Sequence, residues 1–495
     1  MNENDRKSRY WIATQKSYFN KDIRYSLITS EAKDLSDKVV DNSGLYWSDD
    51  LAEEAFSCLL ANFYHAYVLD APLIYSRNSN KYGIERKRYG YEFYTYKKIV
   101  RLVDTMDKMG LVIGTKGWKQ SDGRCYSSKI WATEKLVEML LSMGGTVFIK
   151  QNKEVLYLKD KNKLLQDYKE TSRTKRLRHQ VCEFNEMLSS LQIDFSFKYS
   201  DLSDRPKHRI NQINKLERFV LTNQITIPNI KNKLSWYKYQ TQSKQRQTDI
   251  PTRQLSGPPV SAEYYIDIDH DTFLSKKLNE LDIIGSINTE ANFMRRVFNV
   301  NWSHGGRFYQ APHLTIPSPC RRNFLINKEP TVELDYSGLH IRMLYQLIGI
   351  DYRDECYVYY KEDADNKSER DRIKTASLII INSNCPKKAI KAIQNELRKK
   401  GLQYPVGSHE KYKALMDRFE EHHPRIKEFL LSGKGLELQY IDSKIMANIL
   451  DRLTINNIPA LPVHDSVICP ASHEGFLRQV MTEEYEKIMK FKPVF

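Results

Sequence analysis

The sequence predicts a multidomain α+β protein, and three observations predict it. Its 495 residues, 41 % hydrophobic, supply core for roughly two to four domains. Helical and strand-like patterns alternate around a glycine-rich turn within residues 51–150. The last part of the chain changes character, with short apolar strands that end in carboxylates.

Composition narrows the class. No stretch approaches the roughly 18 uncharged apolar residues of a membrane helix, and the polar N-terminus MNENDRKSRYW lacks the apolar run of a signal peptide. A cytoplasmic or nucleoid-associated protein with no membrane partner is therefore expected. The seven cysteines stand singly without a CxxC pair, which indicates reduced thiols rather than a disulfide framework or zinc finger. Lys and Arg outnumber Asp and Glu by 77 to 62, a net charge of +15. Residues 151–260 hold 21 basic and 11 acidic side chains, so +10 of that charge is concentrated in one segment. Such a field suits a phosphate backbone.

Residues 1–50 read as a polar lead-in. Residues 51–69 repeat apolar side chains at helical spacing after Ser48, Asp49 and Asp50, a cluster suited to a helix N-terminus. Residues 95–109 form a second amphipathic helix, with Ile99, Val100, Val103 and Met106 inward and Gly110 closing it. Leu111–Ile113 reads as a strand, Gly114–Arg124 as a glycine-rich turn, and Tyr126–Ala132 as a returning strand before a helix at 133–142. This order resembles a winged helix-turn-helix and makes 51–150 a DNA-binding domain. The resemblance puts Lys97 and Lys98 on the recognition helix and Lys116, Lys119 and Arg124 on the wing. Tyrosines between Tyr89 and Tyr96 are candidates to stack on bases.

Residues 151–235 form a basic helical region, a candidate thumb, in which Arg173, Lys175, Arg176 and Arg178 precede an apolar stripe of Val181, Phe184 and Leu188. These cations are read as DNA contacts. Residues 236–263, rich in Gln, Ser, Thr and Pro, read as a linker. Residues 264–495 carry the chemistry. A short apolar strand ends at Asp335, followed by Tyr336, Ser337 and a helix, and residues 460–469 (ALPVHDSVIC) read as a hairpin holding Asp465 at its tip. Two carboxylates on adjacent strands can share two magnesium ions roughly 4 Å apart. The pair His422 and His423 lacks ligand spacing and reads as a surface or helix-capping feature.

The segment 306–342, GRFYQAPHLTIPSPCRRNFLINKEPTVELDYSGLHIR, resembles the palm of family A DNA polymerases, and VHDS at 463–466 resembles their second carboxylate hairpin. Its serine is similar to the form in single-subunit phage and mitochondrial RNA polymerases. The resemblance implies a palm and fingers over 264–495, with two Mg2+ ions (Mn2+ as substitute) held at Asp335, Asp465 and Tyr336. It further implies that Arg370 and Lys374, four apart on one helix face, grip the incoming triphosphate. Asn382 stands where the family has a tyrosine beside the new base pair, and His340 where it has the glutamate that crowds the sugar 2′ position. Arg307, Arg321, Arg322, Gln439 and His464 fall at primer or template contacts. No acidic cluster upstream matches a proofreading exonuclease, and none is expected. The implied activity is template-directed nucleotidyl transfer with DNA primer–template and nucleoside triphosphates as partners. The rivals are a single-subunit RNA polymerase or primase, and a non-catalytic DNA-binding replication or regulatory protein.

Overall fold

Capping residues and apolar spacing set where the first helices begin and end. The computed structural model describes residues 19, 21–45, 50–68, 72–82, 87–119, 125–143, 147–150, 154–222, 283–287, 289, 292–358, 366–405 and 407–495. Arg124 and the proposed linker 236–263 lie outside the described residues. The chain is a mixed α+β protein with largely antiparallel sheets, divided into two compact units. The first comprises 1–190, 218–225 and 287–314; the second comprises 191–217, 226–286 and 315–495.

In the first unit, β1 (Ile23–Tyr25) leads to α1 (Ser30–Asn42) and α2 (Asp50–Val68), the apolar helix whose Ala52, Phe56, Leu59 and Phe63 are fully buried. Strand β2 (Leu73–Tyr75) precedes α3 (Tyr96–Lys108), where the Thr95 side chain accepts from the Lys98 amide and so satisfies an orphan donor. Helix α3 ends as its pattern predicts, with the Gly110 amide donating to Asp107 O at 3.0 Å. Strand β3 (Val112–Thr115), the small hairpin β4 (Trp118–Lys119) and β5 (Cys125–Tyr126), β6 (Ser128–Ala132) and α4 (Glu134–Ser142) follow. The sheet order is β2-β6-β3, so β6 lies between the strands that flank α3. Further on, β7 (Val147–Ile149) pairs with β1, and β8 (Leu156–Lys159) precedes the basic helix α5 (Ser172–Ser190).

The second unit opens with β9 (Ile193–Phe197), α6 (Pro206–Thr222, counted here to residue 217) and β10 (Ile283–Ser286). The chain then supplies the first unit with β11 (Arg295–Asn299) and β12 (Gly305–Tyr309), an antiparallel pair whose β11 also runs parallel to β8. Back in the second unit come a short helix α7 (Ser318–Arg321), β13 (Phe324–Ile326) and β14 (Glu329–Asp335). Next are α8 (Leu339–Leu347), α9 (Lys367–Asn382), α10 (Pro386–Lys399), α11 (His409–His422) and α12 (Gly435–Ile455). The hairpin β15 (Leu461–Val463) and β16 (Ser466–Pro470) and helix α13 (Glu474–Met489) complete it. Six strands form one antiparallel sheet in the order β10-β9-β13-β14-β16-β15. Alternation of Ile193, Phe195 and Phe197, all buried, lets β9 pair with both β10 and β13, far from it in sequence.

Candidate active site

The carboxylates meet because β14 and β16 pair in a register that puts Asp335 opposite Ser466, the residue after Asp465. Asp465 sits in the two-residue connection His464–Asp465 between β15 and β16, where His464 takes φ +62°. Along β14, Glu333 and Asp335 share a face while Leu334 is buried on the other. Although Asp335 as a residue is exposed, its carboxyl is crowded by surrounding protein. That crowding, then the Asp465 carboxylate and Glu333, push Asp335 up to about 6, against a downward pull from Lys374. A carboxyl raised by a neighbouring carboxylate in this way marks a site that favours a cation, which is the electrostatic demand divalent metal binding satisfies.

Glu333 is itself neutralised. Arg321 donates to it through Nη2 at 2.8 Å and Nε at 3.2 Å, and the Ser466 hydroxyl donates to Glu333 Oε1 at 2.7 Å. Arg321 is thus fixed beside the carboxylates, while Arg322 stands exposed. Arg307 lies on β12 of the first unit.

Helix α9 brings its two cations to the same region. Asn366 caps it by accepting from the Glu369 amide at 3.1 Å, and Arg370 and Lys374 follow one turn apart. Both lie 5.6 Å from the centroid of the buried Tyr357 ring. Burial, then the neighbouring Cys356 and Asp465, hold the Tyr357 hydroxyl above its ordinary range. Arg370 also pairs with Glu355 at 3.3 Å. Tyr357, Glu355 and Glu333 are the residues that motif matching misses. Glu333 was legible from its i−2 spacing to Asp335, whereas no local pattern marks the other two.

The loop bearing Glu355 and Tyr357 is clamped from below. Buried Arg342 on α8 donates to the carbonyls of Ser337 at 2.9 Å, Tyr352 at 2.5 Å and Asp354 at 3.0 Å. Gly338 starts α8 with φ +56°, and a Cβ there would collide with Cys356 Sγ. His423, expected as a surface or helix-capping residue, is fully buried at the C-terminus of α11. Its Nδ1 lies 3.1 Å from the Tyr345 hydroxyl and its Nε2 3.3 Å from Cys356 O, and burial pushes it down to about 4. The residue caps a helix as expected, but the surrounding aromatic rings bury it.

Three other placements differ from expectation. Tyr336 turns its side chain into the core, where its hydroxyl donates to Met481 O at 2.7 Å and its ring packs on Tyr485 and Phe495. Only its backbone can serve a metal beside Asp335. His340, aligned with the residue beside the sugar, is buried with its Nε2 2.8 Å from Asp442 Oδ2 on α12. Asn382, at the end of α9, bonds back to Leu378 O at 2.7 Å and receives Gln439 Nε2 at 3.4 Å. Helix α12 approaches it so closely that a Cβ on Gly435 would overlap its side chain.

In the first unit Lys97 and Lys116 are exposed and Lys98 half-buried, and Lys119 lies on β4. Trp118 and Tyr126 stack across the β4–β5 hairpin at 4.7 Å. On α5, Lys175 and Arg176 are exposed, and Arg173 donates to Trp302 O at 2.7 Å. Arg178 is tied to Glu154 at 3.1 Å and Glu170 at 2.8 Å in a network shared with Arg88. Tyr89, Tyr91 and Tyr94 are buried in the core, so of the tyrosines proposed to stack on bases Tyr96 alone is exposed.

Among the described residues no three His, Cys, Asp or Glu side chains group as a metal-binding set, and no helix is long and apolar enough to cross a membrane. No protein-family model matches the chain, and no curated protein matches it.

Proposed function

We propose that the second unit is a template-directed nucleotidyltransferase, with a DNA polymerase of family A type without proofreading as its best reading. One observation carries it: Asp335 and Asp465 come together on paired strands, and Arg370 and Lys374 face that region from one side of α9. Asp335, Asp465 and the Tyr336 backbone would hold divalent ions, which when bound withdraw charge from the attacking hydroxyl and from the phosphates. The primer 3′-oxygen forms its bond to the α-phosphorus, the bond from that phosphorus to the bridging oxygen breaks, pyrophosphate leaves, and the hydroxyl proton passes to solvent. Lys374 and Arg370 hold the triphosphate, and the buried Tyr357 ring fixes where their charges stand. Residues 51–150, within the first unit, are read as a winged-helix DNA-binding domain, on the strength of the β2-β6-β3 sheet and the exposed Lys97 and Lys116.

Primer extension tests this reading, with dNTPs against NTPs, and Mg2+ against a chelator. Asp335→Asn and Asp465→Asn are each expected to lower incorporation by at least about 1000-fold, the scale of removing an electrostatic anchor of the transition state. Extension by either variant at near wild-type rate overturns the assignment. Asn382, engaged with Gln439 where the family has a ring, favours a second reading, a DNA-binding protein that does not extend primers. That reading predicts duplex binding with no incorporation under any of these conditions.

A further inference from the structure

Beside Lys374, on the flank of α9 that also carries Asp371 and Thr375, lies a cluster of cations with no assigned role. Asp371, Lys374 and Thr375 recur at helical spacing on that flank. Arg205, at the start of α6, pairs through Nη2 with Asp371 at 3.0 Å, yet its Nη1 is enclosed without a hydrogen-bond partner. His208, one turn along α6, likewise has an enclosed Nδ1 without a partner. Lys400, half-buried, follows α10 and donates its ammonium to the Thr375 hydroxyl at 2.9 Å. Asn211 of α6 donates to Lys399 O at 2.7 Å, which pins this end of α10 against α6.

These charges perturb one another. Burial first, then Lys374 and Arg205, hold Lys400 below the ordinary lysine range against Glu396 and Asp371, which oppose the shift. Burial and then Arg205, Lys400 and Lys215 depress His208. Glu396 is engaged by Lys399 at 2.9 Å, so Asp371 is the carboxylate that meets Arg205 directly. A helix C-terminus commonly attracts lysines, but that would leave the Lys400 ammonium at the carbonyls of α10 rather than on Thr375 of α9. Half-buried like charges held together by the fold, with unused donors among them, are the arrangement by which proteins receive a phosphate.

We propose that Arg205, His208 and Lys400, with Lys374 at the rim, form a second phosphate-binding site on the second unit, beside the one assigned to Arg370 and Lys374. The proposal deepens the polymerase reading and rests on it for the identity of that neighbour. The phosphate belongs either to the backbone of a nucleic-acid strand or to free nucleotide and pyrophosphate, since both carry the same chemistry.

Equilibrium binding on the full chain tests it without requiring catalysis. One arm measures a fluorescein-labelled primer–template duplex by anisotropy across salt, and the other measures inorganic pyrophosphate by calorimetry. Arg205→Gln and Lys400→Gln are expected to weaken binding of one probe several-fold. In the duplex arm each would also lower the salt slope by about 0.9 per lost phosphate contact. Lys400→Arg should restore most of the loss. Asp371→Asn is expected to tighten the same probe, since it removes the competing carboxylate. A merely structural ion pair predicts the reverse, because breaking it from either side would weaken binding alike. Unchanged binding of both probes by variants that keep the wild-type melting temperature, or weaker binding by Asp371→Asn, overturns the site. Failure of the polymerase reading is separately visible, as primer extension retained by Asp335→Asn.

Discussion

An aspartate held near 6 in the folded chain, against an unfolded value near 3.8, binds its proton more tightly when folded, and the sign of its effect follows. Between about pH 4 and pH 6 the folded state carries the extra proton, so ionising Asp335 lowers stability as pH rises through that window. Below about pH 4 both states are protonated and the penalty vanishes. Asp335→Asn should therefore raise the melting temperature above about pH 6 and leave it unchanged near pH 4, as thermal scans at the two pH values would report. A gain of equal size at both would mean the effect is packing rather than charge. The same repulsion makes Mg2+ a stabiliser of the wild-type chain near neutral pH, because a ligand bound to the folded state alone shifts unfolding by mass action. In either Asp335→Asn or Asp465→Asn the Mg2+-induced rise should shrink or disappear. The two aspartates were legible in the sequence because each ends or tips a short apolar strand. Their mutual field was not, since it depends on a β14–β16 register that joins residues about 130 apart in the chain.

Between elements, the buried contacts of α8, α9 and α12 set what substitution can do. His340 on α8 and Asp442 on α12 meet at 2.8 Å with side chains 7 % and 1 % exposed. Removing one partner strands the other, so His340→Ala should destabilise by about 3 kcal/mol in urea unfolding. The double variant His340→Leu, Asp442→Leu should recover most of that loss, because well-packed apolar residues often replace a buried pair without cost. A His340→Ala chain of unchanged stability would show that the ring does not support the fold. Gly435→Ala tests the other joint: its Cβ would overlap the Asn382 side chain and lie 3.0 Å from Asn382 Cα, so a cost of about 1–3 kcal/mol is expected. The closing Gly110 was readable because capping is local. The alternation in Ile193–Phe197 was equally local, yet it lay among charged helices and reads as a strand only once β10 and β13 pair with it. Arg342 clamping three carbonyls, and His423 drawn into the core, involve partners with no sequence periodicity between them.

For the molecule as a whole, the division into units follows pairing partners rather than sequence order: residues 191–217 join 315–495, and 287–314 join the N-terminal unit. A reading along the chain sees composition shifts, such as the basic excess of 151–260, and these do not report which distant strands meet. Charge is the property that composition does report. With +15 overall and with Lys97 exposed on α3 and Lys116 exposed in the glycine-rich turn, duplex binding should be dominated by phosphate contacts and fall steeply with salt. Catalysis, by contrast, is assigned to carboxylates that contribute no favourable charge to that binding. The two properties should then separate by mutation. Lys97→Gln with Lys116→Gln should lower the slope of log affinity against log salt by about 2 and leave the incorporation rate at saturating primer–template unchanged. Asp335→Asn should do the opposite, abolishing incorporation while duplex affinity stays at or slightly above that of the wild type. Anisotropy titrations across salt, paired with single-turnover incorporation, measure both quantities on the same preparations. If the lysine double variant leaves the salt slope untouched, the hairpin and α3 do not contact phosphate, and the winged-helix reading of the first unit fails while the assignment of the carboxylates stands.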